Sequence, residues 1–375
     1  MYVRVYKSIT EIGAGAWDEI VGKNQLICTH NYLKAVEKSQ INDCRYYYLV
    51  LYEGNQIVAH TCLYFISTYL DIFAQGVIKN MINIIRKKYK KFFILESFEC
   101  GTPVALGTTI SFRNHINRLE VIERIIKVAE CLAKECNTKV LLFRDFYEYE
   151  LYLYDYLMKF GYNRIRNLPS TRINVRWGSF DEYLSAMRSK YRWKVKERMK
   201  NVYEEKISIE VRRSFLDCGK ELERLWTHVY NNAKEYKRER LKAVFFENID
   251  KYLGESSAII MVKREGILIG FTLLLFDEMT LIPLFTGLDY NYNDRYSVYF
   301  NLLYKSIEVA IREGKRDIDL GITTLESKRE MGAVAIPLYM YMKHLNPLFN
   351  KIVPRIFEKM IPQDTTGPRR VFKAH

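Results

Sequence analysis

Three strand-like runs follow one another with no room for a helix between them: Ser256 to Met261, Ile267 to Phe276 and Met279 to Leu284, the first two joined by a Lys-Arg-Glu-Gly turn. Runs this close in the chain pair as antiparallel neighbours, because a parallel return needs a crossover of a dozen or more residues. A crossover comes next. Val298, Leu302, Leu303, Ile307, Val309, Ala310 and Ile311 recur at helical spacing over about Ser297 to Glu313, and Gly314 stops that helix. Asp317 to Gly321 then reads as a strand, and Pro337 to Lys343 as a final one. The second half is therefore a mixed α/β layer.

The strand ending at Gly321 opens into a polar helical turn, so Asp319, Thr323, Thr324, Glu326 and Lys328 gather at one strand-to-helix junction. Such a junction can be a reactive site. The same residues also make an ordinary helix cap, since Thr with Glu two or three positions on satisfies first-turn N–H groups. On spacing alone both readings stay open.

This order of elements resembles the core of the GCN5-related N-acyltransferase superfamily. More narrowly, Ser179-Phe-Asp-Glu-Tyr-Leu, then Lys190-Tyr-Arg-Trp-Lys-Val-Lys-Glu-Arg, then Asp319-Leu-Gly with Lys328 and Gly332-Ala, resemble the acyltransferase branch that neighbours the Fem-type peptidoglycan-bridge ligases. The resemblance spans most of residues 176 to 343. It implies transfer of an acyl group onto an amine, with acyl-CoA as acyl-donor substrate and no metal. The glycine-rich pyrophosphate loop usual in the superfamily is here Asn291-Tyr-Asn-Asp-Arg-Tyr-Ser297, with no glycine. Amides at the Ser297 helix start, with Arg295 and Tyr296 beside them, are the remaining phosphate-binding candidates. By the same resemblance, backbone amides around Thr286 and Gly287 are expected to hold the oxyanion.

The first half repeats the pattern in outline. Tyr46 to Tyr52 and Gln56 to Phe65 form a hairpin, Arg118 to Cys136 a helix, Lys139 to Phe143 a strand, Leu151 to Phe160 a helix, and Arg172 to Val175 a closing strand. The expected fold class is α/β: tandem acyltransferase-like domains, with mixed, mostly antiparallel sheets flanked by helices. The expected division is 1–175, 176–345 and a tail at 346–375. Residues 66–112 form an unusual insertion in the first domain. There Ile78, Met81, Ile82, Ile85, Tyr89, Phe92 and Phe93 fall at helical spacing among Lys79, Arg86, Lys87, Lys88, Lys90 and Lys91. Such a segment suits an interfacial helix on an anionic membrane, where each basic residue contributes about 1 kcal/mol. A core helix with a solvated rim has the same pattern. In the tail, Leu348, Phe349, Ile352, Val353, Ile356, Phe357 and Met360 alternate with Lys351, Arg355 and Lys359 and suit either protein or lipid.

A net charge of +14 implies an anionic partner: nucleic acid, an anionic membrane surface or a polyphosphate. Seven of the thirteen residues from Arg188 to Lys200 are basic, on a helix expected over about Phe180 to Glu205. Seven cysteines without a C-x-x-C pair argue for a reducing compartment and against structural zinc. The expected location is cytoplasmic, peripheral on the inner membrane face.

Acyl transfer to an amine requires a proton acceptor, oxyanion donors and exclusion of water, but no covalent nucleophile. The candidates for the base are Asp319 and Glu326, with Lys328 as electrostatic or oxyanion partner; Glu99 marks a second carboxylate cluster, next to Cys100-Gly-Thr-Pro. The leading reading is a peripheral-membrane N-acyltransferase that moves a fatty acyl group from acyl-CoA or acyl carrier protein to a long-chain base or related lipid amine, resembling the bacterial ceramide synthases of sphingolipid metabolism. Two alternatives stand beside it: a Fem-type aminoacyl transferase using aminoacyl-tRNA, and a non-catalytic basic binding protein.

Overall fold

The computed structural model describes residues 1–70, 76–89, 92–204, 207–233, 238–362, 364 and 367–373. The chain divides into two compact units. The first holds residues 1–168, 233–240 and 337–363, and the second 169–232, 241–336 and 364–375. In chain order the strands are β1 (Tyr2–Tyr6), β2 (Arg45–Glu53), β3 (Gln56–Tyr69), β4 (Ile94–Cys100), β5 (Ser111–Phe112), β6 (Val140–Tyr147), β7 (Asn163–Arg166), β8 (Ser170–Asn174), β9 (Ile207–Arg212), β10 (Ser257–Arg264), β11 (Ile267–Phe276), β12 (Thr280–Leu288), β13 (Asp317–Gly321), β14 (Val334–Ile336) and β15 (Leu338–His344).

The first unit's sheet runs β1-β2-β3-β4-β6-β15-β7, with β5 beside β3, and the second's runs β9-β10-β11-β12-β13-β8-β14. In each, a meander of four antiparallel strands is followed by a helix and one parallel pair, β4 with β6 and β12 with β13. The two sheets are mixed and mostly antiparallel, as the hairpin-length connections require. Strand membership differs from expectation in one respect. The strand expected to close the first half, β8, pairs with β13 and β14 in the second unit's sheet, whereas β15, expected to end the second half, sits between β6 and β7 in the first. Alternation and β-propensity mark a segment as a strand but carry no information about a partner 150 residues away. The 66–112 insertion is also smaller than expected, because β4 and β5 are sheet strands; the helix Gly76–Lys88 lies outside the sheet.

Each sheet is covered by its crossover helix. Arg118–Glu135 is capped by Asn117, whose side chain accepts from the Glu120 N–H, and buries Val121, Ile122, Ile125, Ile126, Ala129, Leu132 and Ala133 at three- and four-residue spacing. In the second unit Val298–Arg312 buries Leu302, Leu303, Ile307, Val309 and Ala310. That helix lies close on β11: a Cβ at Gly270 would stand 2.5 Å from Val298 Cγ1. The expected long basic helix is two, Phe180–Ala186 and Ser189–Glu204. The break falls where Met187 turns extended and bridges Phe372, with Arg188 N–H donating to the Val371 carbonyl. No helix among the described residues is long and apolar enough to cross a membrane.

Because β15 fills a central place in the first sheet, residues 1–175 expressed alone should show no cooperative thermal transition by circular dichroism. Supplying 337–363 on a flexible linker should restore one.

Candidate active site

The parallel pair of the second unit is brief. β12 and β13 are paired at Thr280 with Asp317 and Leu281 with Ile318, and no ladder joins them beyond that point. β12 continues to Leu288, paired on its other side with β11 through a register shift that leaves Leu284 unmatched. Past Pro283, which has no N–H, the N–H groups of Leu284–Leu288 that do not turn to β11 face a flank with no strand neighbour. Residues 282–286 along this flank are half-buried. The arrangement offers fixed donors to an incoming carbonyl or amide, as oxyanion stabilisation requires.

On the other side of the parting, β13 delivers Asp319. Its Oδ1 accepts from Ser170 Oγ at 2.6 Å and from Gly321 N–H at 3.0 Å, and its Oδ2 from the Arg172 guanidinium at 3.3 Å. A carboxylate so engaged is an orienting and electrostatic group rather than a free proton acceptor. Lys328, on the short helix Leu325–Arg329, is 3% exposed. Burial drives its ammonium down to about pKa 7, with the nearby Asp319 charge opposing the shift. Near neutrality this amine exists in both protonation states, which suits an acid–base or oxyanion-stabilising group. The helix is held in place at Thr324, in the left-handed region at φ 52°, whose hydroxyl lies 2.6 Å from Tyr299 OH on the crossover helix.

Of the other candidates in this unit, Glu326 does not join Asp319 and Lys328. Its side chain is 66% exposed and lies 3.5 Å from Arg369. Thr286 and Gly287 do lie on the open-flanked strand; the Thr286 hydroxyl bonds Thr272 at 2.9 Å, and glycine at 287 makes room for the Phe271 ring, which a Cβ would meet at 2.1 Å. The phosphate site expected at Ser297 takes a different form. Tyr290–Tyr296 is itself a helix, capped by Asp289, and the Tyr299 N–H at the start of the next helix is already taken by Asn293 Oδ1 at 3.0 Å. Tyr296 is buried in the core and Arg295 stacks over its ring. An anion would compete with a side-chain cap there, because Asn293, like other Asn residues, mimics the acceptor that helix amides need.

The basic run from Arg188 to Lys200 is divided between structure and surface. Lys194 and Arg198 both pair with Glu330, at 2.8 and 3.1 Å, and Arg369 joins them at 3.0 Å. Arg192 donates to the Met187 carbonyl at the helix break. Arg188, Lys190, Lys196 and Lys200 are exposed, with Trp193 64% exposed among them.

Glu99 lies in the first unit, at the end of β4, and is 2% exposed. Tyr64 OH, Ser97 Oγ, Arg144 at 3.0 Å and Arg238 at 2.6 Å all donate to it. Burial alone would raise its pKa, but Arg238 and Arg144 prevail and hold it at about 2. A carboxylate fixed in the ionised state by two guanidinium groups is a structural anion, so Glu99 is corrected from catalytic candidate to network centre. Asp145, on β6 with φ 66°, anchors the other face of Arg144 at 3.0 Å and accepts from Asn167 at 2.8 Å.

The expected interfacial helix shows a different outward face. Ile82 is buried, and Ile85 and Phe93 are half-buried, so this side docks on the first unit; Arg86 donates to the Phe92 carbonyl. Tyr89 and Phe92, with Lys87 and Lys88, are exposed, as are Met81 and Ile84. Lys90, Lys91 and the side chains of Ile78 and Lys79 lie outside the described residues.

Sequence reading missed Ser170, Arg172 and Tyr299 in the second unit, and Tyr64, Arg144 and Arg238 in the first. Each reaches its partner across 25 to 174 residues, and no local pattern signals such pairings.

A four-strand meander, a crossover helix and a parallel pair define a protein with an acyltransferase-like fold of the GCN5-related kind, present twice. The chain belongs to the FemAB-like family, described as peptidoglycan biosynthesis/recognition, whose model matches residues 8–366. A protein of Mycobacterium tuberculosis described as putative 8-amino-7-oxononanoate synthase 2 is 25% identical over 347 residues, 90% of this chain and 44% of that protein. The chain thus spans less than half the length of the curated relatives it matches. Among solved structures, FemX is similar with a TM-score of 0.58 at 12% identity, covering 94% of this chain and 100% of that one. The C-terminal domain of a putative lysylphosphatidylglycerol synthetase from Agrobacterium fabrum gives 0.54 at 12%, covering 94% and 97%. A tandem protein of the same superfamily from the clavulanic acid biosynthesis pathway gives 0.54 at 9%, covering 92% and 99%. These structural likenesses are of fold. The ceramide-synthase resemblance has no support among the comparisons.

Two consequences of the buried charges are measurable. Lys328 binds its proton less readily folded (about 7) than in an unfolded chain (10.5), so its burial costs stability in full below pH 7 and the cost fades as pH rises towards 10.5. Lys328→Met should therefore raise unfolding free energy by about 2 kcal/mol at pH 6 in denaturant titration, with the gain shrinking above pH 9. Glu99 has the opposite sign: its folded pKa lies below the ordinary 4.5, so its contribution is complete above pH 4.5 and is lost as pH falls towards 2. Glu99→Gln leaves the buried Arg238 without its Glu99 partner and Arg144 with Asp145 alone, and should cost about 3–5 kcal/mol at pH 7.

Proposed function

We propose that this chain is an amide-forming aminoacyl transferase, taking an amino acid esterified to tRNA and joining it to the amine of a cell-wall precursor. The observation that carries this reading is the buried Lys328, its pKa lowered to about 7, near Asp319 on β13, the strand that parts from β12. The acceptor nitrogen attacks the ester carbonyl, forming the C–N bond and a tetrahedral oxyanion held by outward N–H groups of Leu284–Leu288. Neutral Lys328 accepts the proton from the attacking ammonium nitrogen. The C–O ester bond then breaks, and the same ammonium returns the proton to the ribose hydroxyl that leaves. Asp319, fixed by Ser170, Gly321 and Arg172, orients the site and limits how far the Lys328 pKa falls.

Two further observations support the donor. Arg188, Lys190, Lys196 and Lys200 form an exposed cationic strip with Trp193, suited to phosphates and an unstacked base. The membership of the chain in the FemAB-like family, together with its fold likeness to FemX and to a lysylphosphatidylglycerol synthetase domain, favours aminoacyl over fatty acyl donors. The occupied amide at Tyr299 also weighs against a coenzyme A pyrophosphate at that helix start.

The test is amide formation from labelled aminoacyl-tRNA and a peptidoglycan-precursor pentapeptide, run against acyl-CoA with sphinganine. Product should form with the former and fall by at least about 100-fold in Lys328→Met, a barrier increase of about 2.7 kcal/mol. Activity should rise with pH through about 7, and tRNA affinity should drop with salt with a log–log slope steeper than about −2. Full turnover from acyl-CoA without tRNA would sink the proposal.

A further inference from the structure

The first unit carries two amphipathic segments that its fold leaves open to solvent, and strand register places them at one end of its sheet. The helix Gly76–Lys88 joins the end of β3 to the start of β4, where Tyr69 pairs with Ile94. The segment Pro347–Asn350 follows the end of β15, where His344 pairs with Val140, and Val140 in turn pairs with Ser97 of β4. Both segments thus emerge from the Val140 end of the strands, two strand spacings or roughly 10 Å apart across the sheet.

Their exposed side chains are of the same kind. Met81 is 56% exposed, Ile84 66% and Tyr89 61%, beside exposed Lys87 and Lys88. Leu348 is 74% exposed, Phe349 53%, Ile352 53% and Ile356 54%, beside exposed Lys351, Arg355 and Lys359. Residues 348, 352 and 356 recur every four positions, so they form one stripe along the turn Pro347–Asn350 and the helix Val353–Met360. The one acid of that helix, Glu358, accepts from the Arg166 N–H at 3.3 Å. Apolar side chains this exposed, in two separately encoded segments that both alternate with lysine and arginine, fit a single environment: hydrocarbon capped by anionic headgroups.

We propose that this end of the first unit is a membrane-docking face, which holds the protein on an anionic bilayer through Met81, Ile84 and Tyr89 on one segment and Leu348, Ile352 and Ile356 on the other. The face is separate from the Lys328 site and does not depend on the donor proposed for it. Basic groups attract the protein to the surface and the apolar side chains enter it, so neither segment alone is expected to give the full affinity.

The experiment is flotation of the full chain with vesicles of equal phosphatidylglycerol and phosphatidylcholine, and with phosphatidylcholine alone. Partitioning should be at least 10-fold stronger on the anionic vesicles and fall several-fold in 0.5 M salt. Ile84→Glu with Tyr89→Glu, and Leu348→Glu with Ile352→Glu, should each reduce it at least 5-fold, and the four together should abolish it. Since all four side chains are exposed, the melting temperature checks that the fold is kept. Equal flotation of the wild-type and fourfold variants would overturn the proposal. So would absence of flotation together with a wild-type dimer in sedimentation equilibrium that the same substitutions dissolve, which would assign the face to a second copy of the chain.

Discussion

The parting of β12 from β13 after Leu281 and Ile318 is the constraint on which the rest of the second unit depends. A sheet strand with a partner on each side has no backbone group to offer a ligand. Where one partner turns away, alternate peptide groups are released while the other ladder keeps the strand rigid. The parting has visible causes: the unmatched Leu284 in β12, and the turn at Gly321, with φ 74°, that takes β13 away towards Thr324. Asp319 stands on β13 just past the parting, with Lys328 near enough to feel its charge.

The first unit has the same topology and resolves the same place differently. Its parallel pair, β4 with β6, ends at Cys100 and Phe143, and just there Glu99, Arg144, Asp145 and Arg238 form a buried ionic network. Arg238 comes from the segment that links the helices Gly219–Asn232 and Ala243–Leu253, and Asn42 secures it by donating to its carbonyl and accepting from the Arg240 N–H. The chain's own residues occupy what the second unit leaves open.

Charge burial separates the two as clearly as shape does. Glu99 stays ionised because two guanidinium groups and two hydroxyls surround it, and together they outweigh the loss of water around it. At Lys328 the nearby Asp319 charge does not outweigh burial, so its proton becomes loosely held. A fold that tolerates an undercompensated amine in its second unit while compensating a carboxylate fully in its first is using the cost of desolvation selectively.

The sequence by itself determined the elements: three successive strands from Ser256 to Leu284, the crossover helix stopped by Gly314, and the strand that ends at Asp319 and Gly321 all follow from local periodicity and turn chemistry. That Asp319 and Lys328 come together was legible because they flank one strand-to-helix junction nine residues apart. Tertiary structure alone decided three things. It exchanged β8 and β15 between the sheets, since a strand's pattern names a buried face and not a neighbour. It took Glu99 out of chemistry, since only folding brings Arg144 and Arg238 to it. It also turned Ile82 inward and left Met81 and Ile84 outward, since helical spacing defines a stripe while the surface beneath chooses which side of the helix to cover.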